Sequence, residues 1–280
     1  MEHSLSPTMH NKALKDKNLN FVYLAFSVKP TEENLKSVVN GAKALNSFKG
    51  FNITIPHKIK IMKYLDEIDK DAKIIGAVNT VKIENNKAIG YNTDGYGARK
   101  SIEEVINKEV KNYNILVIGA GGSSCAVCCE LAKNNNITII NRTVEKAESI
   151  ANNIKNNIII PNNLNYTINY GDINNENNKN NNKYNINDYD IIINTTPLGM
   201  YPNINNKPPI NLENIKKGAI VLDLIYNPSE TLFLKEAKKY GALTINGLGM
   251  LIHQGAKSFE IWTEIKPNIE VMRNAIINKI

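Results

Sequence analysis

The spacing of apolar residues changes period repeatedly along this chain, and each change predicts an element. Residues 31–45 carry apolar side chains at helical spacing, with Thr31 placed to cap and Glu33 and Asn34 in the first turn. Phe51-Asn-Ile-Thr-Ile55 alternates and predicts a strand that Pro56 stops. Residues 58–65 return to helix. Residues 77–83 and 88–91 read as strands turned by Asn85-Asn86, and 95–107 as a helix. Continuous apolar runs predict buried strands at 115–118, 137–140, 190–194 and 219–224, with helices at 123–133 and 230–240. A strand at 241–245 and helices at 255–262 and 267–280 close the chain. Ile269, Met272 and Ile276 give the last helix an apolar face. This alternation of strand and helix predicts the α/β class with parallel sheet. Residues 151–188 are dominated by Asn, which blurs periodicity, and 175–182 predict a mobile loop.

One unit names a cofactor. Ile115-Leu-Val-Ile118 is a buried strand, Gly119-Ala120-Gly121-Gly122 a turn with little side chain in the way, and Ser123 opens a helix. Backbone N–H groups at a helix N-terminus suit a pyrophosphate. The glycines alone say little; the strand before and the helix after give them meaning. The next strand ends at Asn141-Arg142-Thr143. An NAD site usually ends that strand with Asp or Glu, which accepts a hydrogen bond from the ribose 2′-hydroxyl. A carboxylate would repel a 2′-phosphate, whereas a guanidinium holds one through paired bonds. The pattern predicts NADP, bound by Gly119, Ala120, Gly121, Gly122, Ser123, Asn141, Arg142 and Thr143. A flavin or mononucleotide site, or a turn that binds nothing, is the competing reading.

Composition narrows the class. The chain has 280 residues, 42% hydrophobic, with a net charge of +7 from 34 basic and 27 acidic residues. That length allows two domains. No apolar run approaches the roughly 20 residues that span a bilayer, and the start has no secretory pattern. The basic excess is spread out and includes only three Arg, at 99, 142 and 273, which argues against nucleic-acid binding. It suits anionic small-molecule ligands. Cys125, Cys128 and Cys129 share one helical face and read as small packing residues rather than zinc ligands or a disulfide framework. That pattern fits a reducing cytoplasm.

An NADP enzyme needs a substrate site beside its cofactor, and the polar residues before position 100 are the candidates. Ser4-Leu-Ser6-Pro7 reads as an extended segment whose two hydroxyls could hold a carboxylate, although taken alone a helix cap is the favoured reading. Thr54 lies on the polar phase of its strand, and Lys58 follows Pro56 at a strand-to-helix corner. Asn79 sits on a strand, and Asn92-Thr-Asp94 follows a strand end, where α/β sheets place ligands. Partial burial lowers a lysine's proton affinity, which suits acid–base work. Asp94 nearby would position Lys58. From spacing alone, a surface lysine and a turn aspartate are the favoured reading. His57 reads as a helix-start surface residue; His3, His10 and His253 read as positional partners near the substrate loop.

The ordered motifs carry more. His3-Ser-Leu-Ser-Pro7, Asn52-Ile-Thr-Ile-Pro-His-Lys58, Gly76-Ala-Val-Asn-Thr80 and Tyr91-Asn-Thr-Asp-Gly95 stand with Gly119-Ala-Gly-Gly122 and Asn141-Arg-Thr143. Asn194-Thr-Thr-Pro197 and Asn246-Gly-Leu-Gly-Met-Leu251 follow, with Gln254. In order and spacing this set resembles the shikimate dehydrogenases, and its archaeal-type members most. The resemblance implies NADPH-dependent reduction of 3-dehydroshikimate to shikimate, in the route to chorismate and the aromatic amino acids. It implies Lys58 and Asp94 as the catalytic pair. It implies Ser4, Ser6 and Tyr226 around the substrate carboxylate. Thr54, Lys58, Asn79, Asp94 and Gln254 would bind the ring hydroxyls and the reacting oxygen. The nicotinamide would lie near Leu224, Gly247 and Met250.

The same resemblance implies two domains: an N-terminal α/β substrate domain, residues 1–93 plus 248–280, and a Rossmann-like parallel-sheet NADP domain, 94–247. A cytoplasmic enzyme is expected, with a homodimer as the candidate assembly and no nucleic-acid or membrane partner. The family also has a strand ahead of the Ser-Leu-Ser-Pro loop, and only Met1 to His3 precede Ser4 here. A version extended upstream is therefore expected to melt higher and turn over faster; equal melting and turnover would refute this. The alternatives are an NAD-using quinate/shikimate dehydrogenase, which Arg142 opposes, and a non-catalytic dinucleotide sensor, which Lys58 and Asp94 oppose.

Overall fold

The computed structural model describes residues 4–174 and 184–279; the expected loop at 175–182 and His3 lie outside them. In chain order the elements are α1 Ser6–Asp16, α2 Glu32–Ala44, β1 Gly50–Asn52, β2 Glu67–Ile68, α3 Lys70–Ile75, β3 Thr80–Glu84, β4 Lys87–Tyr91 and α4 Asp94–Ile106. Then come β5 Asn114–Ile118, α5 Gly122–Leu131, β6 Asn136–Asn141, α6 Val144–Ile154, β7 Ile168–Asp172, β8 Ile191–Asn194 and β9 Ile220–Asp223. The chain closes with α7 Leu232–Lys239, β10 Leu243–Ile245, α8 Leu248–Thr263 and α9 Ile269–Ile276. They fall into two compact units. The first runs up to Gly97 and resumes from Ile252 to Lys279; the second is Ala98–Leu251. The chain changes unit inside α4 and inside α8, a few residues past the expected boundaries at 93/94 and 247/248. Among the described residues, no helix is long and apolar enough to cross a membrane.

The first unit holds a four-stranded sheet in the order β1-β3-β4-β2, antiparallel except for the β2–β4 pair. Asn85 and Asn86 sit at φ 50° and 59° and turn β3 into β4. Asn tolerates this left-handed geometry, which matches the twist of a two-residue hairpin. Thr31 caps α2 by accepting the Asn34 N–H, as its position predicts. Leu35, Val39, Ile61, Val78, Val81 and Ala88 form the core between α2 and the sheet. The helix expected at 58–65 is only a 3-10 turn, Lys60–Tyr64. Its start is taken by the tight turn in which the His57 N–H donates to the Thr54 carbonyl. Helix α1 had no counterpart among the expected elements. It packs against α9, and Lys279 donates to the Thr8 hydroxyl. Between α1 and α2, Phe21, Val22, Leu24 and Phe26 are exposed. Asn11 pins this stretch by bonding both the N–H and the carbonyl of Tyr23.

The second unit holds a six-stranded parallel sheet in the order β10-β9-β8-β5-β6-β7. Counted from β5, this is the doubly wound order 3-2-1-4-5-6 read backwards, and its reversal lies between β5 and β8. Ile115 to Ile118, Ile191 to Ile193 and Val221 to Leu222 are fully buried, because a sheet covered on both faces needs continuous apolar strands. The three cysteines of α5 are buried and unbridged. Helix α6 and β7 escaped the sequence reading. Ala147, Ala151 and Ile154 nevertheless make a buried helical stripe in α6, and asparagines around them hide it.

Candidate active site

Lys58 stands on a rigid base. Its carbonyl accepts the Val78 N–H at 2.9 Å, tying the corner after Pro56 to the lead-in of β3. Its ammonium donates to Asp94 Oδ2 at 2.6 Å. Asp94 opens α4 and is nearly buried, with 9% of its side chain exposed against 23% for Lys58. The other carboxylate oxygen, Oδ1, accepts Asn79 Nδ2 at 2.7 Å. Such a pair is held by shape as well as charge, and removing either member strands the other.

Asn79 is itself locked. Its Oδ1 accepts the Thr93 backbone N–H at 2.9 Å and the Thr80 hydroxyl at 2.8 Å. A backbone N–H can only donate, so the amide nitrogen must face Asp94. Behind it runs a polar network. The Tyr23 phenol donates to Asn52 Oδ1 at 3.0 Å, and Asn52 Nδ2 reaches the Asn79 carbonyl, Thr80 Oγ1 and Ser258 Oγ, each at 3.1 Å. Burial pushes the Tyr23 phenol up to about 12, partly offset by a hydrogen bond with Ser6. Gln254 Oε1 lies 3.4 Å from Asn79 Nδ2. The first unit therefore gathers Lys58, Asn79, Asp94 and Gln254, with Thr54 exposed at the start of the turn that leads to Lys58.

The serine segment differs from expectation. Ser4 is exposed, but Ser6 is the first residue of α1 rather than part of an extended run. Pro7 explains it: a fixed φ suits the first helical turn, where no N–H is needed. His10 lies deeper, 1% exposed. It stacks on Tyr23 with centroids 4.5 Å apart and leans on Trp262 at 5.4 Å. Neither ring nitrogen finds a partner among the described residues, and burial lowers its pKa to about 3. His57 Nε2 lies 3.1 Å from the Val28 carbonyl.

The second unit presents the glycine turn at the sheet's reversal. Gly119 has φ 107°, a left-handed conformation that L side chains avoid, and its N–H donates to the Ile140 carbonyl at 2.8 Å. A Cβ there would meet Thr195 Oγ1 at 2.7 Å, while a Cβ on Gly121 or Gly122 would meet nothing within 4 Å. The space over Gly121 and Gly122 is thus open where α5 begins, with Ala120 and Ser123 on either side. The Ser124 hydroxyl closes the turn from below, donating to the Gly119 carbonyl at 2.6 Å. At the end of β6, Asn141 Nδ2 donates to the Thr143 carbonyl at 2.9 Å. Arg142 is exposed, and no ion pair among the described residues uses it. Leu224, Tyr226 and Met250 are half-buried in this unit. Gly247 donates its N–H to the Ile225 carbonyl at 2.9 Å, and a Cβ on it would overlap the Leu224 carbonyl.

Comparison with known proteins decides the family. Residues 1–81 match the family described as the shikimate dehydrogenase substrate binding domain. Residues 101–197 match shikimate / quinate 5-dehydrogenase, and 247–277 the shikimate 5′-dehydrogenase C-terminal domain. The NADP(+) shikimate dehydrogenase of Methanococcus aeolicus is 72% identical over 278 residues, covering 99% of this chain and 94% of that relative. The chain belongs to the shikimate dehydrogenase family. A shikimate dehydrogenase crystallised with NADP+ superposes with a TM-score of 0.88 at 58% identity, covering 100% of this chain and 92% of that one. The Listeria monocytogenes shikimate 5-dehydrogenase, solved with shikimate and NAD, gives 0.87 at 33% identity, covering 99% and 93%.

Within a shikimate dehydrogenase of this sequence, two polar groupings went unread. Tyr23, Asn52, Thr80, Thr93 and Ser258 come together only in the folded first unit, and no local pattern links them. Asn194 and Asp223 did leave a signal, since each ends an otherwise apolar strand. A polar residue capping a buried run asks for a partner, and these two are each other's.

Proposed function

We propose that this chain reduces 3-dehydroshikimate to shikimate with NADPH, with Lys58 and Asp94 as its catalytic pair. The observation that carries this reading is the Lys58 ammonium held 2.6 Å from a carboxylate whose second oxygen is pinned by Asn79. The residues of the second unit suit the cofactor. An open glycine turn at a helix start fits a pyrophosphate, and an uncommitted Arg142 beside Asn141 fits a 2′-phosphate. Gly119, Ala120, Gly121, Gly122 and Ser123 would hold the first, and Asn141, Arg142 and Thr143 the second. Leu224, Gly247 and Met250 would line the nicotinamide. NADPH supplies the hydride.

The protein's own residues do the rest. Negative charge grows on the carbonyl oxygen as the hydride arrives, and the Lys58 ammonium offsets it and then gives it a proton. Asp94 keeps that ammonium aimed. Asn79 pins the other oxygen of Asp94, so its carboxylate does not turn away. Thr54, Asn79 and Gln254 would bind ring hydroxyls, and Ser4, Ser6 and Tyr226 the carboxylate. A site with several such bonds rejects an analogue that lacks one, because a buried group is left unpaired. A reducing cytoplasm suits the three unbridged thiols.

Shikimate and quinate assayed against NADP and NAD test the reading. Shikimate with NADP should be the fastest pair. Arg142→Ala should raise KM for NADP roughly 10- to 100-fold, the loss of a charge-assisted pair, and leave KM for NAD within about twofold. Faster turnover with NAD, or an NADP KM indifferent to Arg142, overturns the cofactor assignment.

A further inference from the structure

Asp223 is a carboxylate the proposed chemistry does not use, and it is fully buried, as is Asn194. The groups that face it are the Asn194 amide from β8, the Ile225 N–H of its own loop and the Thr231 hydroxyl at the start of α7. They donate at 3.0, 3.1 and 2.7 Å. None of them is charged. Burial of an uncompensated carboxylate is unfavourable, and here it pushes the group up to about 6. An apolar pair would fill the same space without that cost.

What the pair does is join loops. Asn194 Oδ1 accepts the Thr196 N–H at 3.0 Å and its hydroxyl at 2.7 Å. The Asn194 carbonyl accepts the Leu224 N–H at 3.1 Å. Thr195 donates its hydroxyl to the Ile118 carbonyl at 2.7 Å, and its side chain and that of Thr196 seat on Gly119. Gly247 bonds the Ile225 carbonyl and lies against the Leu224 carbonyl. The segments leaving β5, β8, β9 and β10 are thus bound to one another at the carboxyl ends of the sheet. We propose that Asp223, through Asn194, is a positioning residue that clamps these loops into the surface receiving the nicotinamide end of the cofactor. This rests on the roles given above to Leu224, Gly247 and Met250. Asp223 touches neither cofactor nor substrate; it acts through the backbone it holds.

The charged form tightens all three of its bonds, so the clamp should loosen as pH falls through about 6. Asp223→Asn keeps the size and removes the charge. Its NADPH affinity and kcat/KM should fall roughly tenfold or more, the scale of a small misplacement. Its affinity for 2′,5′-ADP, which lacks the nicotinamide, should stay within about twofold of wild type. Its melting temperature at pH 8 should not drop, because a buried charge is gone. The acid limb of kcat/KM near pH 6 should vanish. Thr231→Val keeps the charge but removes one donor, and should move that limb to higher pH. NADPH affinity and kcat/KM within twofold of wild type in Asp223→Asn, or an unmoved limb in Thr231→Val, overturns the clamp. So does a parallel loss of NADPH, 2′,5′-ADP and melting temperature, which marks a role in folding alone. If the wild type binds NADPH but reduces no 3-dehydroshikimate, the proposed reaction fails while the two binding measurements still judge the clamp.

Discussion

Lys58→Ala should lower kcat for 3-dehydroshikimate reduction by about 10²- to 10⁴-fold, the range lost with a general acid that also offsets developing charge. Asn79 holds the far oxygen of Asp94 and Gln254 lies against Asn79, and neither carries a positive charge that could replace the ammonium. Affinity for 2′,5′-ADP should be unchanged, since the residues assigned to it lie in the other unit. Lys58→Arg separates the two tasks. A guanidinium keeps the charge but does not give up a proton near neutral pH, so its kcat should fall between wild type and alanine. The alanine variant also leaves Asp94 without its partner in a nearly buried position. Stopped-flow oxidation of NADPH reads these rates. A kcat for Lys58→Ala within threefold of wild type removes the catalytic pair from the mechanism.

Acid should destabilise the first unit through His10. His10 is held neutral by burial, with a pKa of about 3 against 6.5 for the free side chain. Between those values the unfolded chain binds a proton that the folded one refuses. Stability is therefore complete above pH 6.5 and falls as pH drops toward 3. The full difference is on the order of 5 kcal/mol. Asp223 works in the opposite sense. Its folded value of about 6 lies above the free 3.8, so the folded chain holds the extra proton and gains stability as pH falls through that window. That gain is about 3 kcal/mol, smaller than the loss, and it acts on the other unit. Urea melts at pH 7 and pH 4.5, followed by the fluorescence of Trp262 in the first unit, should show that unit losing about 2.5 kcal/mol. His10→Phe keeps an aromatic ring in the stack with Tyr23 and removes the proton, and should flatten the dependence. The same slope in His10→Phe and wild type would show that the acid loss has another source.

Local pattern carried the dinucleotide unit well. A buried strand, a glycine turn and a helix are each written in consecutive residues, so Gly119 to Ser123 and Arg142 could be placed without a fold. The same holds for the Asn85-Asn86 turn and the Thr31 cap, where one residue's chemistry suffices. Elements without that local writing were lost. Helix α1 hides behind a Ser-Leu-Ser-Pro stretch that fits an extended chain equally well. Strand β2 has only two residues, and α6 with β7 sit in an asparagine-rich stretch whose composition masks a real apolar stripe.

The order of residues alone determined the class of the fold and the dinucleotide it asks for, since these depend on short-range patterns and on residue chemistry, and the family resemblance of its ordered motifs put forward Lys58 and Asp94. It could not decide whether that lysine and that aspartate meet. They stand 36 positions apart, and the corner after Pro56 and the start of α4 come together only when the four-stranded sheet forms. Only the tertiary structure turned the Asn79 amide toward Asp94, buried His10 without a hydrogen-bond partner among the described residues and joined Asn194 to Asp223 across adjacent strands. Each of these is a hydrogen bond made or withheld between distant segments, where burial decides protonation and no neighbour in sequence takes part.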